Sequence, residues 1–254
     1  MCGRMTLTRS GSEIAEYFAL TMAEREVCEL DGAPLRARYN IAPSQWIATI
    51  VALATGGRSI GWKRWGLVPS WSQDPAIGGR LFNARSETAD EKPAFRAAWK
   101  RRRCLVAADG FYEWTPRDRG HQPYYFCSRE GSLLGFAGLF EAWHGKDGEI
   151  VESCTVLTTE ANADLEGVHH RMPVILEPTR FEAWLDSRSD PTLLKAMMCP
   201  APVGTLDRRP VSRRVNSPRF DDPQCVRPEQ EGDREPRSRA EQVELFRLDG
   251  EDAK

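Results

Sequence analysis

The sequence predicts an α+β fold: a single domain with a mixed or antiparallel, barrel-like β-sheet core and peripheral helices. Three observations point there. Short apolar or β-branched runs recur through residues 1–222, with turn residues between them. Strands and helices do not alternate in a regular β-α-β pattern. Helical periodicity appears only near the two ends of this stretch.

Taken in order, residues 12–30 read as a helix, with Ile14, Phe18 and Met22 spaced by four and Ser12 as N-cap. Residues 46–53 are β-branched and apolar, and Gly56-Gly57 follows as a turn. Further strands are predicted at 60–65, 105–108, 124–127, 134–141, 154–158 and 174–176. Asp109-Gly110, Gly131 and Asp147-Gly148 supply turns between them. Helices return at 179–186 and 191–198. Many short strands of this kind close most readily into a barrel-like sheet.

The 254 residues show no linker within 1–222, so one domain is expected there. From 227 to 254 the chain is polar, charged and punctuated by proline, the composition of a disordered tail. No apolar run approaches the roughly 20 residues of a membrane span. Arg4, Arg9, Glu13 and Glu16 interrupt any secretory signal, so a cytoplasmic protein with no membrane partner is expected. The seven cysteines are scattered, without a C-x-x-C pair, which argues against disulfides and a metal site. The net charge of -2 argues against a broadly basic nucleic-acid surface. Residues 226–254 hold nine acidic and six basic residues, leaving 29 basic and 28 acidic elsewhere. A local basic groove remains compatible with that balance.

The chemistry begins at Met1-Cys2-Gly3-Arg4. Trimming of the initiator Met would leave Cys2 with a free α-amine beside its thiol. An aldehyde meeting that pair forms an imine, and the sulfur then closes a five-membered thiazolidine. The amine's reference pKa of about 7.7–8.0 keeps part of it nucleophilic near neutrality. A cation such as Arg4 lowers the thiol from about 8.5. A cysteine placed after Met by chance is the alternative. Asn83 and Arg85 fall on one side of an extended segment, where Arg85 suits a phosphate fork; a capped helix start is the competing reading. Glu113 lies between aromatics, where desolvation would raise its pKa; a solvent-facing Glu is the other option. His169, His170 and Arg171 precede an apolar strand, at an element edge where sites lie. Trp62, Lys63, Arg64, Trp65 and Trp71 interleave aromatics with cations, as single-strand binders do. Trp62 and Trp65 read as core, and Trp71 as a loop residue. Arg101-Arg102-Arg103 reads as a solvated face. Nothing in the residues alone joins Cys2, Asn83, Glu113 and His169.

A resemblance joins them. The elements are Met-Cys-Gly-Arg at 1–4, Arg-Tyr-Asn-Ile-Ala-Pro at 38–43 and Trp-Gly-Leu-Val-Pro-Ser-Trp at 65–71. Next come Asn-Ala-Arg-Ser-Glu-Thr at 83–88 and Asp-Gly-Phe-Tyr-Glu-Trp at 109–114. Val-His-His-Arg-Met-Pro at 168–173 and Val-Ser-Arg-Arg-Val-Asn at 211–216 complete the set. In this order they resemble the SOS-response-associated peptidase (SRAP) family of abasic-site-processing proteins. The resemblance implies an SRAP-type domain over 1–222 that binds single-stranded DNA, or a single-strand/double-strand junction, as a monomer without cofactor. It implies a covalent thiazolidine crosslink between Cys2 and the ring-opened abasic sugar, a lyase-like chemistry that shields the lesion. By the same resemblance Asn83, Glu113 and His169 are catalytic: Asn83 holds the N-terminal residue or sugar, Glu113 relays protons and His169 assists ring opening. Arg4, Arg85 and Arg171 would bind phosphates, Pro43 and Trp71 would shape the DNA path, and Thr158 would line the site. Some relatives carry a second aromatic after Trp71, where this chain has Ser72. The competing functions are an N-terminal-nucleophile cysteine peptidase, including autoproteolysis, and a noncatalytic single-strand-binding module.

Overall fold

The computed structural model describes residues 2–21, 29–30, 33–116 and 121–229. Chain order begins with β1 (Met5–Leu7), the helix Gly11–Tyr17, β2 (Glu29–Leu30), β3 (Ala33–Pro34), β4 (Arg38–Ile41), β5 (Trp46–Ala52) and β6 (Arg58–Trp65). It continues through β7 (Asn83–Arg85), the helix Arg96–Arg101, β8 (Arg103–Ala108), β9 (Gly110–Trp114), β10 (Pro123–Ser128), β11 (Leu134–His144) and β12 (Ile150–Glu160). β13 (Arg171–Pro173), β14 (Ile175–Leu176), the helices Phe181–Leu185 and Pro191–Met197, and β15 (Leu206–Pro210) finish it.

Five strands close on themselves. β6 pairs with β5, β5 with β8, β8 with β11 and β11 with β12, all antiparallel, and β12 returns to β6 in parallel. This mixed barrel leaves no free edge among those five strands. The long strands β11 and β12 overrun the ring. β7 and β13 attach to β12, and β14 attaches to β11. A second, antiparallel sheet has the order β15-β10-β9-β1-β4. The chain passes from barrel to second sheet between β8 and β9, at Asp109. The Asp109 carboxylate accepts from the Thr6 hydroxyl, and from the Thr8 backbone N–H at 2.6 Å and hydroxyl at 2.5 Å. That ties β1 to the crossing point. A continuous apolar core runs between the sheets and includes Phe111 and Phe126, stacked at 5.2 Å, and Phe136 edge-on to Phe111.

The strand-rich α+β architecture matches the expectation, with three local corrections. The first helix ends at Tyr17, Phe18 caps it, and Ala19 takes a positive φ of 48°. Residues 22–28 of that expected helix lie outside the described residues, and Glu29–Leu30 is a strand. The N-cap is Ser10 rather than Ser12: Ser10 and Glu13 bond each other's backbone N–H in a capping box. The basic run 101–103 is not a solvated face as a whole. Arg101 is exposed and Arg102 is half-buried on Glu141, but Arg103 is only 3% exposed. Of the expected tail, 227–229 pack on β15's end, with Pro228 bridging Val211 and the Glu229 N–H on Pro210 O. Residues 230–254 lie outside the described residues. No helix among the described residues is long and apolar enough to cross a membrane.

Candidate active site

Strand pairing assembles the site. β9 lies beside β1 in the second sheet, with Phe111 opposite Met5, so Glu113 comes to the chain's first residues. β7 lies parallel to β12, with Asn83 opposite Val156 and Arg85 opposite Thr158. β13 pairs with the other edge of β12, with Pro173 opposite Thr158 and Arg171 opposite Glu160. Two distant segments, β7 and β13, therefore meet on β12, and the β1–β9 pairing brings the third, Glu113, to the chain's first residues.

Cys2 is fully buried. The Asn83 side-chain amide donates to the Cys2 carbonyl at 2.7 Å, which fixes the backbone of that residue. Asn83 Oδ1 is buried and has no hydrogen-bond partner. Burial pushes the Cys2 thiol well above its ordinary range, and the negative charge of Glu113 pushes it further. Glu113 is 2% exposed. Desolvation raises its carboxyl to about 7, partly opposed by the positive amino terminus of the chain. His169 Nδ1 lies 4.0 Å from Glu113 Oε1. Burial drops the His169 pKa to about 4, with the positive amino terminus acting in the same direction. His169 Nδ1 lies 3.0 Å from the Arg171 backbone N–H and 3.1 Å from the Arg171 carbonyl, accepting from the first or donating to the second according to the ring's tautomer. His170 stacks on His169 at 4.6 Å and is exposed.

The proposed DNA contacts divide by surroundings. Asn83 and Arg85 share a side of β7 while Ala84 between them is buried, so the alternating reading is realised. Arg85 is exposed at an open groove of about 730 Å³ bordered by Glu160, Glu166, His169 and Arg171. Arg171 is buried. Its Nη1 and Nη2 grip the two Glu87 oxygens at 2.6 and 2.9 Å, and Nη2 also reaches the Thr158 carbonyl. Thr158 is fully buried, its hydroxyl 3.4 Å from the same nitrogen. Arg4 bonds Asn40 Oδ1 at 2.8 Å and the Val215 and Asn216 carbonyls, and lies over the Trp114 ring. Trp71 is 60% exposed, with its indole N–H on Pro93 O at 3.3 Å. Pro43 is half-buried in the turn before β5. Trp65 is buried and Trp62 packs partly against the core. Sequence reasoning quoted Glu87 within a motif and gave it no role; its spacing of two from Arg85 was the available signal. It also missed Asn40 and Asn216, which sit at the ends of Arg4 and Trp114 bonds.

This arrangement offers a thiol, a carboxyl poised near neutrality and a neutral imidazole in one cluster, with an arginine-edged groove outside. The family model of the SOS response associated peptidase (SRAP) matches residues 1–218. The chain belongs to the SRAP family. It is 37% identical over 228 residues to the abasic site processing protein YoqW of Bacillus subtilis (strain 168), covering 89% of this chain and 99% of that protein. The abasic site processing protein HMCES of Gallus gallus is 38% identical over 189 residues, covering 65% of this chain and 56% of that protein. Among solved structures, a Bordetella bronchiseptica protein matches with a TM-score of 0.70 at 27% identity, over 83% of this chain and all of that one. A Bacteroides thetaiotaomicron protein matches with a TM-score of 0.80 at 23% identity, over 90% and 100%, and shares the fold. The SRAP fold thus accounts for both the barrel and the second sheet.

Proposed function

We propose that this SRAP chain processes abasic sites by capturing them covalently. The observation that carries the reading is the convergence of Cys2, Asn83, Glu113 and His169, with Glu113 at a pKa of about 7. Removal of Met1 gives Cys2 its amine. His169, neutral above about pH 4, hydrogen-bonds the sugar oxygen through Nε2 as the ring opens to the aldehyde. The amine adds to the aldehyde carbon. Protonated Glu113 gives its proton to the resulting hydroxyl, which leaves as water, and a protonated imine forms beside the Glu113 carboxylate. Sulfur then adds to the imine carbon. The thiol's raised pKa means that no thiolate stands ready, so the thiol proton passes to the Glu113 carboxylate as the carbon–sulfur bond forms, which leaves the ring nitrogen neutral and restores the acid. The sum is aldehyde plus Cys2 giving thiazolidine plus one water. Asn83 holds the Cys2 backbone for both steps.

Single-stranded DNA suits this site because an abasic sugar has no base edge to read. Affinity then rests on phosphates and on stacking of flanking bases. Exposed Arg85 meets a phosphate, Trp71 offers a stacking face, and Pro43 shapes the path. Arg4, Arg171 and Thr158 act from positions fixed by their protein contacts.

Intact mass analysis after mixing the mature protein with an abasic single-stranded oligonucleotide tests the reading. The expected product is protein plus oligonucleotide minus one water, stable to heat. Cys2→Ala should leave only an imine that borohydride traps, and a retained Met1 should block ring closure. An undiminished heat-stable adduct from Cys2→Ala would refute the assignment of Cys2.

A further inference from the structure

Arg171 and Glu87 form a bidentate pair at the edge of the open groove, and the two partners differ in exposure. The Arg171 side chain is 9% exposed, whereas Glu87 is 46% exposed. The Thr158 carbonyl holds Arg171 from behind. Arg171 Nε is buried without a hydrogen-bond partner. The guanidinium is therefore fixed by the β12 edge, and its outward fork is filled by a carboxylate on a solvent-facing side chain. Carboxylate and phosphate present the same paired oxygens to such a fork. Arg85, opposite β12's Thr158 and two residues before Glu87, also lowers the Glu87 pKa by its charge. Glu87 thus lies in the field of both Arg171 and Arg85.

We propose that Glu87 is a built-in phosphate surrogate: it fills the Arg171 fork when no DNA is bound, and a phosphodiester of the bound strand displaces it. This rests on the DNA-binding reading above. Displacement is an exchange of one anion for another on the same guanidinium. Arg171 then contributes little to the net number of phosphates neutralised, because each contact releases an uncompensated Glu87. The surrogate keeps the fork formed in the free protein and makes weak anions poor competitors for it. It also sets a threshold that favours a polyanion already held at Arg85.

The test uses an abasic-free single strand, so that binding is read apart from crosslinking. Glu87→Gln should tighten binding and steepen the slope of log affinity against log salt by about 0.7, one phosphate's worth for a single strand. That slope corresponds to a factor of about 5 in affinity at 0.1 M salt. Arg171→Ala should flatten the slope by that amount in the Glu87→Gln background and by much less in wild type. If Glu87→Gln binds as weakly as Arg171→Ala, Glu87 only positions Arg171 and the surrogate idea fails. An unchanged slope overturns it as well. A readout on the unaltered protein guards against a folding defect in the variant. Arg171 holds the Glu87 carboxyl below the ordinary carboxylate range. Saturating strand should return that titration, followed by carboxyl NMR, towards the ordinary range. A titration that stays depressed shows Arg171 still on Glu87 and sinks the proposal. Absence of any strand binding by wild type instead removes the DNA reading itself.

Discussion

Glu113 and His169 show how burial sets chemistry one residue at a time. Both are pushed towards their neutral forms, Glu113 up to about 7 and His169 down to about 4. Near neutral pH Glu113 can therefore give and take a proton, and His169 is an uncharged hydrogen-bonding ring. Glu113→Gln is expected to slow crosslink formation by roughly 10²–10⁴ while sparing noncovalent binding. Single-turnover capture of an abasic strand measures it, and an unaltered rate would remove Glu113 from the proton path. The same shift has a stability consequence. The folded protein keeps a proton on Glu113 that the unfolded chain releases between pH 4.5 and 7, so this group's contribution falls as pH rises through that window. Above pH 7 the loss is on the order of 3 kcal/mol. For His169 the sign is opposite: its contribution falls as pH drops from 6.5 to 4. Glu113→Gln should thus gain on wild type in urea midpoint at about pH 8, with the gain vanishing near pH 4.5. A difference independent of pH would contradict the raised carboxyl.

At the scale of elements, Arg103 is the strongest test of packing. Its guanidinium joins three elements: Nε donates to Trp184 O at 2.7 Å, Nη1 to Trp99 O at 2.6 Å and Lys100 O at 3.1 Å, and Nη2 to Asp186 O at 2.5 Å. It satisfies the carbonyl ends of the helices Arg96–Arg101 and Phe181–Leu185 against β8. Arg103→Met leaves those carbonyls buried and unpaired, and should cost about 3 kcal/mol or more. Arg101→Ala, at an exposed position, should stay within about 0.5 kcal/mol. Equal urea midpoints for the two variants would refute the staple. The sequence hid this role because Arg-Arg-Arg has the composition of a solvated face, and only the fold says which of the three turns inward. The strands β5, β8, β11 and β12 were legible because burial on both sides writes long apolar runs. β15 was not, since Leu206-Asp-Arg-Arg-Pro210 is an edge strand with polar residues outward. β1, β4 and β13 escaped because three or four residues hold too little periodicity. The first helix was drawn too long because Ile14, Phe18 and Met22 keep the spacing past its end at Tyr17.

Across the whole molecule, the site was legible only through the order of its motifs. Cys2, Asn83, Glu113 and His169 meet through pairings β1–β9 and β7–β12–β13, which no local pattern encodes. Charge is a whole-molecule property that the sequence does state. The full chain carries a net charge of -2, and residues 230–254 hold eight acidic and five basic residues. Ending the chain after Glu229 would bring the remainder to +1. If the strand binds as proposed, its affinity rests on a few local cations, and the charges of residues 230–254 are expected to act through the long-range field. That field steers encounter rather than making contacts, and it decays over a Debye length of about 10 Å at 0.1 M salt. A chain ending at Glu229 is therefore expected to associate with an abasic-free single strand faster by a factor of a few at about 0.03 M salt. Its rate should converge with that of the full chain by about 0.5 M, where screening is nearly complete. Its dissociation rate should not change, because the proposed contacts at Arg85 and Trp71 are untouched. Stopped-flow binding at several salt concentrations separates the two rates. A change confined to dissociation would mean that residues 230–254 touch the strand or the groove directly, and the field argument would fall.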